Sequence, residues 1–181
     1  MTRFGYVIVT YFSAMSIAVA SFVPTSLKLV WNASASVPIG LYGIEPVGVL
    51  ELSNLVAVIP PKPLADFMVE RGYIGRDVPL MKRVMGLPGQ QVCRIGRSIT
   101  VDGALLGDAL DRDRTGRALP VWQGCRRIAD GDLFLMNPAI RDSLDGRYFG
   151  TLPASAVIGR ATPLYTDEDG DGRFVWRAAT R

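Results

Sequence analysis

Between Arg3 and Lys28 the chain carries no charge, and the stretch from Phe4 to Val23, FGYVIVTYFSAMSIAVASFV, is mostly apolar. Its length matches the roughly 20 residues that a helix needs to cross a bilayer. Its Thr and Ser hydroxyls can bond back to helix carbonyls, so they do not forbid insertion, and Pro24 ends the segment. The expectation is an N-terminal transmembrane helix with a cytoplasmic amino terminus, because Arg3 precedes the stretch and positive charge favours the inner side. Ala18-Val19-Ala20 also fits the pattern at which a signal peptide is cleaved. Both readings put residues from about 30 onward outside the cytoplasmic membrane. They divide the chain into an anchor or signal segment, 1–28, and an extracytoplasmic domain, 29–181.

A chain of 181 residues, less such a leader, is long enough for one domain with its own core. From Ser34 onward, short apolar runs alternate with Gly and Pro, which predicts a mainly β domain. Strands are expected at Gly40–Ile44, Leu55–Ile59, Pro79–Met85, Gln91–Ile95, Ser98–Val101, Asp132–Met136 and Ala156–Pro163. VCRI and SITV, joined through Gly96-Arg97, read as a hairpin. Pro63–Gly72 reads as a short helix, and residues 103–120, rich in Gly, Asp and Arg, as a surface excursion between strands.

Composition excludes several chemistries. There is no histidine, so neither a Ser-His-Asp nor a Cys-His arrangement can form, and imidazole metal sites are ruled out with them. The net charge of +3 is spread along the chain without a basic block, which argues against a nucleic-acid partner. Nothing in the sequence calls for a cofactor. Cys93 and Cys125 are too few and too far apart for a zinc or redox motif; they read as one disulfide if the chain is exported, and as two buried thiols otherwise. Only three of the 20 basic residues are lysines, Lys28, Lys62 and Lys82. Lysine can give up its proton at workable cost and arginine cannot, so each lysine bears examination.

Three segments can carry chemistry: Ser34-Ala35-Ser36-Val37-Pro38-Ile39-Gly40-Leu41-Tyr42, Met81-Lys82-Arg83-Val84-Met85-Gly86-Leu87-Pro88-Gly89, and Asp142-Ser143-Leu144-Asp145-Gly146-Arg147-Tyr148-Phe149-Gly150. Lys82 lies in an apolar strand pattern before a turn. To act as a base near neutrality it must be depressed by roughly three units, at a cost on the order of 4 kcal/mol of stability, and burial is the means. The bland reading is a lysine whose head reaches solvent from a strand edge. Ser36, in a Ser-x-Ser-x-Pro-x-Gly context, sits where a tight turn can expose a hydroxyl and aim amides toward it, but Ser, Pro and Gly also make ordinary loops. Without histidine, a serine nucleophile needs Lys, Asp or Glu as its base.

Taken together, the order and spacing of the three segments resemble the bacterial type I signal peptidases. Lys-Arg-Val-x-Gly-Leu-Pro-Gly is similar to the family's base-bearing box, and Asp-Ser-x-Asp-x-Arg-x-x-Gly to its late box. The resemblance implies a β-rich catalytic domain of coiled antiparallel sheets behind a membrane anchor. It implies Ser36 as nucleophile, Lys82 as general base, and the Ser36 amide with the Ser34 hydroxyl as oxyanion hole. Ser143 would orient the Lys82 amine, and Asp145 would pair with Arg147 and Arg83 to brace the dyad. The first box departs from the usual Ser-Met-x-Pro-Thr: here Pro38 follows Ser36 by two residues and opens a Pro-x-Gly-x-Tyr run, similar to the branch that serves plasmid conjugation. That branch implies a pilin precursor as substrate, cut and in some systems cyclised, with the conjugation apparatus as neighbour. The alternatives are a general signal peptidase acting on preproteins and a non-catalytic periplasmic subunit of a conjugation channel. Asp167-Glu168-Asp169-Gly170-Asp171-Gly172 imitates the first half of a calcium loop, but the bidentate twelfth position falls on Ala178, so a polar turn is expected there.

Overall fold

A computed structural model describes residues 2–21 and 28–178. The apolar leader forms a helix, α1 (Arg3–Ser21), whose large side chains, among them Phe4, Phe12 and Ile17, are exposed. Among the described residues, no helix is long and apolar enough to cross a membrane. The last residues of the expected span, Phe22 and Val23, lie outside the described residues.

The body is mainly β, as expected. The first part of the chain supplies β1 (Leu29–Asn32), β2 (Ile39–Glu45), β3 (Leu55–Val58), α2 (Lys62–Glu70) and β4 (Leu80–Gly86). A second group follows, β5 (Gln91–Ile95), β6 (Ser98–Val101), β7 (Ala104–Asp108) and β8 (Gly124–Arg127). The chain then returns through β9 (Asp132–Met136), a single helical turn α3 (Gly146–Phe149), β10 (Thr151–Pro153), β11 (Val157–Asp167) and β12 (Val175–Trp176). The large sheet runs β1-β2-β11-β3-β4-β9-β10 with β12 added to β11, and the small one β7-β6-β5-β8; the strand pairs are antiparallel.

Alternation along the central strands gives the large sheet two apolar faces. One face gathers Val56, Val58, Leu80, Val84, Leu133, Leu135 and Val157, and α2 closes it with Leu64, Phe67 and Met68, spaced for one side of a helix. The other face gathers Tyr42, Ile44, Leu55, Ala57, Met81 and Ala161. The small sheet packs Val92, Ile99 and Val101 against Phe134 and Met136 of β9, so a single strand seals both sheets.

The expected β5–β6 hairpin forms in register, with Ile95 opposite Ser98 and Gly96 at φ 62. Residues 103–120 are more than a surface excursion. Asp102 and Gly103, at φ 48 and 81, make a second tight hairpin between β6 and β7, the geometry for which Asp-Gly is favoured. Beyond it, Ala109 and Leu119 are buried against Tyr148. Asp113 accepts from the Tyr73 hydroxyl at 2.6 Å and from Arg117 Nε at 2.7 Å, which pins the segment to the end of α2. The acidic run after β11 is the expected polar turn: Asp167 accepts the amides of Asp171 and Gly172, and the chain folds back to pair Thr166 with Val175.

Cys93 and Cys125 face each other on β5 and β8 and form a disulfide that closes a separation of 32 residues. All of β8 is exposed, so the crosslink supplies what apolar burial does not. Replacing both cysteines by alanine should lower the unfolding free energy by about 3 kcal/mol, read from urea titrations of parent and variant in the absence of reductant.

Candidate active site

Lys82 occupies the middle of β4, where the side-chain row on its face reads Leu80, Lys82, Val84, and its neighbour across on β3 is Val56. All three apolar residues belong to the α2-covered core, so the lysine stem is enclosed and the residue is only 3% exposed. Burial pushes its pKa down to about 8, against an opposing pull from the Asp145 charge and with a smaller push from Arg147. The amine donates to Ser143 Oγ at 2.8 Å, as the late segment was expected to provide.

The serine segment fills the turn between β1 and β2. Asn32, at the end of β1, is the anchor of that turn: its Nδ2 donates to the carbonyls of Ser34, Val37 and Pro38 at 2.7, 3.1 and 3.1 Å. Those three bonds fix the carboxamide's orientation, so its oxygen faces Ser34 and accepts from both the Ser34 amide and the Ser34 hydroxyl, at 3.2 and 2.9 Å. Tyr42 reaches back from β2 to donate its hydroxyl to the Pro38 carbonyl at 2.7 Å. Gly40, at φ 149, lets β11 come close; a Cβ there would stand 2.2 Å from the Tyr165 carbonyl oxygen. Pro38, Gly40 and Tyr42 thus act together to set the shape of the loop that carries Ser36.

Ser34 Oγ and Ser36 Oγ lie 2.9 Å apart. Since a hydroxyl has one proton and Ser34 gives its own to Asn32, the Ser36 hydroxyl is the donor in this pair. Ser34, Ser36, Lys82 and Ser143 line one open cleft of about 390 Å³. Its apolar walls include Met68, Tyr73, Ile74, Leu80, Leu119 and Leu144. The two hydroxyls and the amine therefore share one cleft, with the Ser36 proton directed at Ser34 and the amine at Ser143 rather than at each other.

Asp145 and Arg147 lie behind the cleft rather than in it. They form a bidentate pair, Nε to Oδ1 and Nη2 to Oδ2, both at 2.8 Å, with side chains at 0% and 1% exposure. The Asp145 carboxylate also accepts the amides of Arg147 and Asn137. The Arg147 guanidinium spends its remaining donors on the carbonyls of Ile140, Arg141, Asn137, Ser143 and Asp108, at 2.7, 3.1, 3.3, 3.3 and 3.5 Å, which moulds the loop presenting Ser143 to Lys82.

Arg83 takes a different place from the one expected. Neighbouring strand residues point to opposite faces, so Arg83 turns away from the side that holds Lys82, and its guanidinium donates to the Ser53 carbonyl at 3.0 Å. Arg83 is linked to Asp145 through Asn137: the Arg83 amide donates to Asn137 Oδ1, and the Asn137 amide donates to Asp145 Oδ2. Asn32 and Asn137 were not among the expected site residues. The only sequence signal for Asn32 is its position two residues before Ser34, where Asx turns form.

Residues 1–166 match the family profile described as signal peptidase, peptidase S26. The "Conjugal transfer protein TraF" of Agrobacterium fabrum (strain C58 / ATCC 33970) is 35% identical over 147 residues, 75% of this chain and 81% of that protein. A "Plasmid transfer protein TraF" of Escherichia coli is 31% identical over 144 residues, again 75% of this chain and 81% of that one. A crystal structure of a signal peptidase I from Enterococcus faecalis V583 superposes with a TM-score of 0.39 at 17% identity, over 63% of this chain and 97% of that one. Because the profile runs through all three segments that build the cleft, the chain belongs to the signal peptidase, peptidase S26 family.

Proposed function

We propose that the protein is a serine endopeptidase with a Ser36-Lys82 dyad that cuts a conjugative pilin precursor outside the cytoplasmic membrane. The carrying observation is Lys82: an amine buried in an apolar row and held near a pKa of 8, in the same cleft as an exposed serine turn. A depression from 10.5 to about 8 costs the fold about 3 kcal/mol at neutral pH, which a scaffold protein gains nothing from bearing.

In the reaction, neutral Lys82 takes the Ser36 proton as Oγ attacks the scissile carbonyl, and the protonated amine then delivers it to the leaving amine. The Ser36 hydroxyl first turns from Ser34 toward the amine. Ser34, released from that contact, rotates its own hydrogen from Asn32 to the oxyanion, beside the Ser36 amide. Ser143 keeps the amine aimed. The acyl-enzyme is resolved by water, which gives a linear product, or by a peptide amine, which gives a ring.

The conjugative substrate is supported by the names of the relatives, conjugal and plasmid transfer proteins. The tether is supported by the sequence, uncharged from Phe4 to Leu27, and by the exposed apolar side chains along α1, although α1 as described, Arg3–Ser21, is not by itself long and apolar enough to cross a membrane. In this reading 1–28 holds the catalytic body, 29–181, at the periplasmic face of the inner membrane.

Detergent-solubilised protein incubated with a pilin precursor should cut it, and Ser36→Ala and Lys82→Ala should each lose at least about a thousandfold in kcat. If both variants process as well as the parent, the dyad is wrong. Cleavage of many unrelated preproteins would instead indicate a general signal peptidase, and a product one water lighter than the linear fragment would show cyclisation by mass spectrometry.

The pH dependence has a definite sign. The rate should rise as Lys82 loses its proton, with a midpoint of about 8, and a flat profile between pH 6 and 9 would exclude the amine as base. Because the folded-state pKa lies below the unfolded value, the native state binds fewer protons between about 8 and 10.5, and stability contributed by this group grows with pH across that window. Lys82→Met, which carries no such penalty, should therefore be inactive yet more stable than the parent at pH 7, by up to about 3 kcal/mol in urea titrations, with the gap narrowing as pH is raised.

A further inference from the structure

The Asn137 carboxamide touches the nucleophile's segment and both residues that flank the base. Its Nδ2 donates to the Ser36 carbonyl at 2.7 Å and to the Met81 carbonyl at 3.0 Å, while its Oδ1 accepts the Arg83 amide at 3.1 Å. The residue is 3% exposed, and its own amide donates to Asp145 Oδ2 at 3.0 Å.

The sequence explains why a side chain does this. β9 pairs with β4 as far as Met136 opposite Arg83, and the next residue but one is Pro138, which has no N–H to continue a ladder. A planar carboxamide has one acceptor and two donors. The acceptor and one donor reproduce the peptide group that another strand residue would have offered to Met81 and Arg83. The second donor is left for Ser36. Four contacts, to the Ser36 carbonyl, the Met81 carbonyl, the Arg83 amide and the Asp145 carboxylate, thus meet in one planar group and its own amide.

We infer that Asn137 is a positioning residue for the dyad: through one carboxamide it sets where the Ser36 turn stands relative to the strand that holds Lys82. It touches neither the substrate nor the reacting atoms. The inference rests on the dyad reading, and it adds a residue that none of the three motif segments contains. Loss of the carboxamide releases Ser36 from β4, so the hydroxyl and the amine lose their mutual register while the cleft walls that bind substrate stay in place. Water then gains access to the Lys82 strand, which raises the pH at which the amine becomes neutral.

The test compares parent, Asn137→Ala and Asn137→Gln in detergent on a peptide spanning the precursor's cleavage site, with Ser36→Ala and Lys82→Ala alongside. Both Asn137 variants should lower kcat at least tenfold with KM within about twofold of the parent, and move the pH midpoint upward. Glutamine should recover part of the loss, because it keeps the donor and acceptor one methylene away. Near-ultraviolet circular dichroism verifies that each variant is folded. A folded variant with parental kcat and pH profile overturns the inference, as does a rise in KM at unchanged kcat. Failure of both variants to fold also overturns it, since the role is then structural alone. If Ser36→Ala or Lys82→Ala retains parental activity, the dyad reading itself has failed, whatever the Asn137 variants do.

Discussion

The arrangement depends on an amine kept out of water. Lys82 sits between Leu80 and Val84 along β4 and opposite Val56 on β3, under the cover of α2. That enclosure depresses its pKa, and it also makes everything around it consequential, because a buried amine without a partner is expensive. Ser143 supplies the partner at 2.8 Å. The late segment is thus required by the strand that bears Lys82, and the remote segments come together around a single desolvated group.

Bringing them together is a problem of rigid connection, and the chain solves it with planar groups. Asn32 gathers four backbone groups and a hydroxyl of the Ser34–Pro38 turn. Arg147 gathers the carbonyls of the loop before it while its carboxylate partner holds the Asn137 amide. Buried polar groups of this kind cost little only when every donor and acceptor is used, and no buried side-chain nitrogen or oxygen among the described residues lacks a partner. A half-satisfied network would leave the Ser36 turn free to drift relative to β4, and proximity is the part of catalysis that such drift destroys.

Much of the sheet was legible because its strands are apolar runs between Gly and Pro, and β2, β3, β4, β5, β6, β9 and β11 fall where those runs are. β8 was not, for a physical reason: Gly124–Arg127 is exposed throughout and pairs by backbone and disulfide, so it has no burial pattern to read. β7 was missed although its Asp102-Gly103 turn is a strong local signal, because the acidic and glycine-rich stretch after it reads as loop. At the site, Lys82 and Ser36 stood out as the residue types a base and a nucleophile need, whereas Ser143 entered only through the resemblance. Asn137 was not legible: its partners lie 56 and 101 residues away, and before Pro138 it reads as an ordinary strand end.

The Asp145–Arg147 pair raises a question of charge. A lone buried carboxylate near Lys82 would favour the ammonium form and oppose the deprotonation a base needs, and Asp145 does pull in that direction. Arg147 pushes the other way, and its two 2.8 Å contacts place the opposing charge directly on the carboxylate. To Lys82 the pair is therefore close to a dipole, and desolvation remains the dominant influence on its proton. The ion pair can thus do structural work at the back of the cleft, tying the amide of Asn137 and the loop of Ser143, without holding the amine charged. A neutral pair of the same shape would lack the donors for that loop, whereas an unpaired carboxylate would hold the Lys82 amine charged. A bidentate Asp-Arg pair satisfies both demands, and arginine rather than lysine is needed at 147 because only a fork can hold the carboxylate and five carbonyls at once.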